Sequence, residues 1–216
     1  MIEIVPTILT STVEEYRHFA ERYSKFAKRV QIDISDGIFT PAMTITESNI
    51  WWPTAGIVAD LHMMVSEPSK HLDAIIGLKP SLVYFHAEAS EPLLPVFERL
   101  HTEGIKCGVA LLARSFPGKF TEELKAADAA LIFAGTLGQQ GGQADFLQTE
   151  KIPLIRNINP NLEIAWDGGV NMQNVRALAH LDLDVLDVGS AIASADDPEQ
   201  ALKDLDAEAD RPGVLI

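Results

Sequence analysis

Asp33, His62 and Asp167 stand at or near the ends of three short apolar runs, in Gln31-Ile32-Asp33-Ile34-Ser35, Asp60-Leu61-His62-Met63-Met64 and Ile164-Ala165-Trp166-Asp167. Two carboxylates facing one pocket can take a proton from one side of a carbon and return one to the other. A histidine beside them completes a set of borderline and hard donors of the type used for zinc, iron or manganese. Taken singly, each residue has a plainer reading. A lone aspartate after a strand most often caps a helix or forms a turn, and a lone histidine in an apolar run most often hydrogen-bonds within the core. Only their joint placement on one face would make them a site.

The glycines suggest what such a site would hold. Asp167 opens Asp167-Gly168-Gly169-Val170-Asn171, where two glycines allow a sharp turn and close approach of backbone to a ligand. Gly189-Ser190 precede the small-residue run Ala191-Ile192-Ala193, which can begin a short helix whose free N–H groups bind phosphate. The loop Gly138-Gln139-Gln140-Gly141-Gly142-Gln143 is their companion. Glycine-rich loops alone are weak signals, but these three together favour a phosphorylated small molecule.

The elements that must position these groups are read from hydrophobic periodicity. Strands are expected over Ile2 to Leu9, Arg29 to Ile34, Ile57 to Val65, Ser81 to His86, Ile105 to Leu111, Ala129 to Phe133, Leu162 to Trp166 and Val185 to Val188. Between them Thr12 to Phe26, Pro68 to Gly77, Glu91 to Glu103, Pro117 to Ala126, Asp145 to Asn157 and Met172 to Leu181 carry apolar residues at helical spacing. Strictly alternating strands and helices predict a parallel sheet, and eight such units in this length predict an α/β fold of the (β/α)₈ TIM barrel type as one domain over residues 1–216. An open doubly wound sheet is the alternative, although no glycine-rich dinucleotide loop follows the first strand. In a barrel, active sites lie at the C-terminal ends of the strands. Period-two geometry turns Gln31, Asp33 and Ser35 to one face, His62 and Met64 to one face, and Ala165 and Asp167 to one face, so three polar groups are expected to converge at the barrel mouth.

Composition narrows the function classes. The net charge of −14 opposes a nucleic-acid surface. No apolar run is of membrane-spanning length and the first residues carry no signal pattern, so no membrane partner and a cytoplasmic protein are expected. The single cysteine, Cys107, excludes an internal disulfide and a thiolate-cage metal site, leaving histidine and carboxylate as ligands. Of the remaining histidines, His18, His71, His101 and His180 are expected on helix surfaces, while His86 ends a strand and could enter the pocket. Trp51 and Trp52 follow the second strand, where adjacent aromatics can cover a site, pack on the core or bury a subunit contact, so a homo-oligomer stays open.

The motifs Pro6-Thr7-Ile8-Leu9, Gln31-Ile32-Asp33-Ile34-Ser35-Asp36-Gly37-Ile38-Phe39-Thr40-Pro41, Asp60-Leu61-His62-Met63-Met64-Val65, Phe85-His86-Ala87-Glu88, Gly108-Val109-Ala110-Leu111, Gly141-Gly142-Gln143, Asp167-Gly168-Gly169-Val170-Asn171 and Gly189-Ser190-Ala191-Ile192 stand in order across nearly the whole chain. As a set they resemble the signature segments of ribulose-phosphate 3-epimerases. The resemblance implies a (β/α)₈ enzyme of carbohydrate metabolism that interconverts ribulose 5-phosphate and xylulose 5-phosphate through an enediolate. It implies Asp33 and Asp167 as the acid/base pair. It further implies substrate or phosphate contacts at Thr7, His62, Met64, Gly141, Gly142, Gly168, Gly169, Gly189 and Ser190, and a divalent metal (zinc, iron or manganese) on Asp33, His62 and Asp167.

The chain departs from that pattern around the site. Gln31 stands where the family has a metal-binding histidine and offers only a neutral carbonyl oxygen, a weak ligand. Ser35 and Ala134 stand where methionines are usual, residues 137–140 replace the usual loop before Gly141, and Asp187 replaces an apolar strand residue. These changes predict a more polar pocket; Asp187, if inward, would be a buried carboxylate with a raised pKa, or else a hydrogen-bonded structural group. The alternatives are a non-catalytic barrel that binds a phosphorylated sugar and an epimerase of another ketose phosphate. A barrel decarboxylase or aldolase is weaker, because Asp33-Ile34-Ser35-Asp36 lacks the lysine such chemistry usually employs.

Overall fold

Each predicted apolar run forms a strand. The computed structural model describes residues 2–52, 56–139 and 141–212. Its strands are β1 (Glu3–Ile8), β2 (Arg29–Ser35), β3 (Val58–Met64), β4 (Leu82–His86), β5 (Lys106–Leu111), β6 (Ala129–Phe133), β7 (Glu163–Asp167) and β8 (Val185–Val188). They pair in sequence order, all parallel, and β8 returns to β1 to close a barrel. The helices are α1 (Val13–Tyr23), α2 (Leu72–Leu78), α3 (Leu94–Thr102), α4 (Thr121–Ala126), α5 (Lys151–Ile158), α6 (Val175–Ala179), α7 (Ser190–Ala193) and α8 (Pro198–Ala209).

Two apolar layers follow from the strand alternation. Ile32, Ile34, Leu61, Met63, Val83, Phe85, Ile132, Ile164 and Trp166 belong to the large core shared with the helices. Val5, Leu82, Tyr84, Ala110, Ala129, Leu131, Ala165 and Val185 form a second cluster inside the barrel. Small residues there make room for large ones: a Cβ at Gly108 would lie 2.3 Å from the Tyr84 ring. At the strand N-termini, Arg29 pairs with Glu3 at 2.9 Å, Asp60 at 2.6 Å and Glu163 at 2.6 Å, giving the barrel floor its own polar plug.

The differences from expectation lie at element ends, where local hydrogen bonds compete with regular structure. Pro68, Pro117 and Phe146 open 3₁₀ turns ahead of α2, α4 and α5, and β7 runs on to include Asp167. The helix expected from Met172 begins only at Val175, because the Asn171 and Asn174 side chains both donate to the Gly169 carbonyl. An additional helix, α8, is capped by Asp197, which accepts from the Gln200 N–H at 3.1 Å, and begins on Pro198.

Candidate functional site

At the C-terminal mouth lies a pocket lined by Asp33 from β2, His62 and Met64 from β3, Phe133 from β6, Asp167 from β7 and Asp187 from β8. Thr7 and Leu9 close one side, and the loops contribute Gly135, Gly138, Gln139, Gly141, Gly168, Gly169, Val170, Gly189 and Ser190. The register of the parallel strands makes this convergence possible: Thr7 is level with Gln31, Asp33 with His62, and Asp167 with Asp187. Asp33, His62 and Asp167 each bring one possible ligand atom into a group whose members lie within 4.8 Å of one another.

Gln31 lies directly beneath them, fully buried and outside the pocket lining. Its amide nitrogen donates to Asp33 Oδ1 at 3.1 Å and to Asp167 Oδ2 at 2.9 Å, so one side chain bridges carboxylates from β2 and β7. Its Oε1 is buried without a hydrogen-bond partner among the described residues. His62 Nδ1 faces the same two oxygens, at 3.1 Å from Asp33 and 3.4 Å from Asp167. Burial alone would lower the His62 pKa, but its hydrogen bonds to Asp167 and Asp33 outweigh that and lift it to about 10. Burial raises the Asp33 pKa and the neighbouring Asp167 charge adds to the rise, against opposing hydrogen bonds from His62 and Gln31.

The glycines prove to be packing residues first. A Cβ at Gly168 would lie 2.2 Å from the Gly135 nitrogen and one at Gly169 would lie 2.2 Å from the Ala144 nitrogen. Both residues have positive φ, +126° and +70°, so a side chain is excluded on conformational grounds as well. Backbone contact thus brings the loops after β6 and β7 together on the pocket rim. Gly189 is the cap of α7, and the open side of Gly141 faces Ser190 Oγ. Gly142 is the one expected loop glycine that does not line the pocket. Gln140 lies outside the described residues. The pocket lining contains no lysine or arginine among the described residues, leaving backbone N–H groups as the anion-binding element.

Several expectations are corrected. Ser35 does not add polarity to the pocket: its hydroxyl donates to the Ala42 carbonyl at 2.7 Å and ties down the loop after β2. Ala134 is also outside the lining, its N–H donating to the Asp167 carbonyl at 2.7 Å. Of the altered positions among the described residues, only Gly138, Gln139 and Asp187 reach the cavity. Asp187 faces inward, the case in which a raised pKa is expected, and the hydrogen-bonded role is not found, since its Oδ2 has no partner among the described residues. Burial, followed by the charge of Asp167, pushes its pKa well above the ordinary carboxylate value. His86 does not enter the pocket but lies fully buried behind His62, their Nε2 atoms 2.9 Å apart. His71 is half-buried against Glu47 rather than on the surface. Trp51 is exposed and its carbonyl accepts from the Tyr16 hydroxyl, while Trp52 packs partly on the core.

Phe133 lines the pocket without having been picked out as a contact from sequence. Phe133 carried a signal, being the inward residue at the end of β6, level with Asp167 on β7. Among the described residues no helix is long and apolar enough to cross a membrane.

Residues 3–193 match the ribulose-phosphate 3 epimerase family. The chain is 26% identical over 210 residues to a ribulose-phosphate 3-epimerase of Schizosaccharomyces pombe, covering 94% of this chain and 92% of the relative. It is 27% identical over 214 residues to a cytoplasmic isoform of ribulose-phosphate 3-epimerase from Oryza sativa, covering 94% and 92%. The fold is shared with 3-hexulose-6-phosphate synthase from Salmonella typhimurium, with a TM-score of 0.67 at 16% identity over 96% of this chain and 98% of that one.

Proposed function

Because the chain belongs to the ribulose-phosphate 3-epimerase family, we propose that it is an isomerase that interconverts ribulose 5-phosphate and xylulose 5-phosphate by moving a proton at carbon 3. The observation that carries this reading is the pair Asp33 and Asp167, presented from β2 and β7 to one cavity and bridged by the Gln31 amide.

Inversion at a carbon next to a carbonyl needs a base on one face and an acid on the other. Burial favours the protonated form of Asp33, which suits it to deliver the proton while Asp167 removes one. As the C–H bond breaks, its electron pair passes to the carbonyl oxygen and forms an enediolate. The Asp33 proton then goes to the opposite face of carbon 3, and the reverse reaction exchanges the two roles. Gln31 bridges the two carboxylates through one amide nitrogen, and His62 sets a cationic N–H between them. The N–H groups near Gly141, Gly168 and Ser190 anchor the phosphate at the remote end of the substrate, with Thr7, Met64, Gly169 and Gly189 shaping the same cavity.

The residues also fit a divalent metal. Asp33, His62 and Asp167 would hold it, and three such protein ligands suffice for an open catalytic site. Turning the Gln31 amide over would supply its Oε1, which has no partner among the described residues, as a weak fourth donor beside both carboxylates. When bound, zinc, iron or manganese supplies charge neutralisation to the enediolate oxygens. The lone Cys107, buried and free, and the rice relative named as a cytoplasmic isoform support a cytosolic setting. Asp187 and Gln139, both on the cavity wall, favour one second reading, in which the substrate is a different ketose phosphate.

The test is proton exchange with solvent. Incubated with ribulose 5-phosphate in deuterium oxide, the protein should place deuterium at carbon 3 and generate xylulose 5-phosphate, both visible by nuclear magnetic resonance. Asp33→Asn and Asp167→Asn should each slow this by about 10²- to 10⁴-fold, the usual effect of losing an acid/base group. Absence of exchange in the native protein would refute the substrate assignment, and a near-normal rate in either variant would refute the two-base scheme.

A further inference from the structure

We infer that Glu88, acting through His86, is a positioning residue that fixes the hydrogen of the His62 ring on Nε2 and so reserves Nδ1 for the site. His62 Nε2 and His86 Nε2 are 2.9 Å apart, a spacing that holds a single hydrogen. On the far side of its ring, His86 Nδ1 faces Glu88 Oε2 at 3.5 Å, and both atoms are buried without a hydrogen-bond partner among the described residues, which leaves each as the partner available to the other. The remaining oxygen of Glu88 accepts from the Leu112 N–H at 3.1 Å and from the Ser115 hydroxyl.

The hydrogen positions then follow in order. An ionised carboxylate only accepts, so the hydrogen of His86 lies on Nδ1. A neutral imidazole with Nδ1–H has a bare Nε2, so the hydrogen between the two rings belongs to His62. His62 in its neutral form therefore keeps its lone pair on Nδ1, the nitrogen 3.1 Å from Asp33 Oδ1 and 3.4 Å from Asp167 Oδ2. His86 is fully buried, and the 2.9 Å between the two Nε2 atoms leaves room for one hydrogen, so no second charged ring is accommodated beside His62. The His86 ring is packed beside Phe39, with centroids 4.8 Å apart, and Phe133, at 6.0 Å, which blocks reorientation. Outer partners of this kind orient the donor atoms that a site presents to a metal or a proton.

Substitution by an amide tests the chain of hydrogens, because the orientation of that amide is itself dictated. In Glu88→Gln the Leu112 N–H and Ser115 hydroxyl retain the amide oxygen, leaving the NH₂ group against His86 Nδ1. His86 must then carry its hydrogen on Nε2, in conflict with His62. Nitrogen-15 spectra of histidine-labelled protein read this directly, with His86→Gln identifying the resonances. The native protein should show His86 as the Nδ1–H tautomer and Glu88→Gln should show it reversed. Zinc affinity, a readout that rests on the proposed metal reading, should fall by about 10- to 100-fold in Glu88→Gln. Glu88→Ala loses more contacts but imposes no wrong tautomer, and should bind zinc better than Glu88→Gln. An unchanged His86 tautomer in Glu88→Gln, or an alanine variant that binds zinc less well than the glutamine variant, would overturn the inference. Reversal of the tautomer in a protein that never binds zinc would uphold the relay and defeat the metal reading alone.

Discussion

Replacing Asp187 with valine should make the protein more stable, and more so as the pH rises. The residue is 3% exposed, its Oδ2 meets no donor among the described residues, and the register sets it beside Asp167. A buried polar group without a partner costs about 1–3 kcal/mol, and valine has similar bulk without that cost. At this chain length each kcal/mol corresponds to about 2–4 °C in Tm. The pH dependence has a definite sign. Burial first, and then the charges of Asp167 and Asp60, hold the folded pKa well above the usual 3.8, so the folded state binds the proton more tightly than the unfolded chain. The native protein therefore loses stability as pH rises from the unfolded value towards the folded one. Urea unfolding at about pH 5 and about pH 8 should show a gain for Asp187→Val at both, larger at the higher pH. Asp187→Asn should abolish the pH-dependent part while keeping the partnerless polar group. A valine variant no more stable than native, or a gain identical at the two pH values, would refute the reasoning.

Gln31→His should raise the metal retained after dialysis, since an imidazole is a stronger ligand for zinc or iron than a neutral amide oxygen; metal analysis beside turnover checks this, and a variant that gains metal without gaining rate would remove the metal from the proposed chemistry. His71→Gln should cost about 1–2 kcal/mol between pH 4.5 and 6.5, the ordinary values of Glu47 and His71, where both partners are charged. That contribution fades as pH falls through the lowered folded pKa of Glu47 or rises through the raised folded pKa of His71, which chemical denaturation across the range would reveal. Gly168→Ala should destabilise by at least about 2 kcal/mol, since it combines backbone strain at positive φ with a clash against Gly135; titration with inorganic phosphate should show weakened binding as the two rim loops separate.

The strand alternation and the direction of Asp33, His62 and Asp167 were legible along the chain because side-chain direction in a strand is a property of neighbouring backbone units. The same local logic marked the glycines of the rim, although it read Gly168 and Gly169 as ligand-facing when their first task is to let two loops touch. It placed Ser35 inward but not the bond that turns its hydroxyl to Ala42. What the tertiary structure alone decided are the contacts between distant elements. The Gln31 amide meets Asp167 across 136 positions of sequence only because barrel closure and register bring β2 and β7 to opposite sides of one narrow core. The alignment of Glu88, His86 and His62 likewise requires β3, β4 and the loop after β5 to be stacked at one height. Periodicity determines which face a side chain takes, whereas distances between faces are set by closure of the whole sheet, and hydrogen bonds depend on those distances to within a few tenths of an ångström.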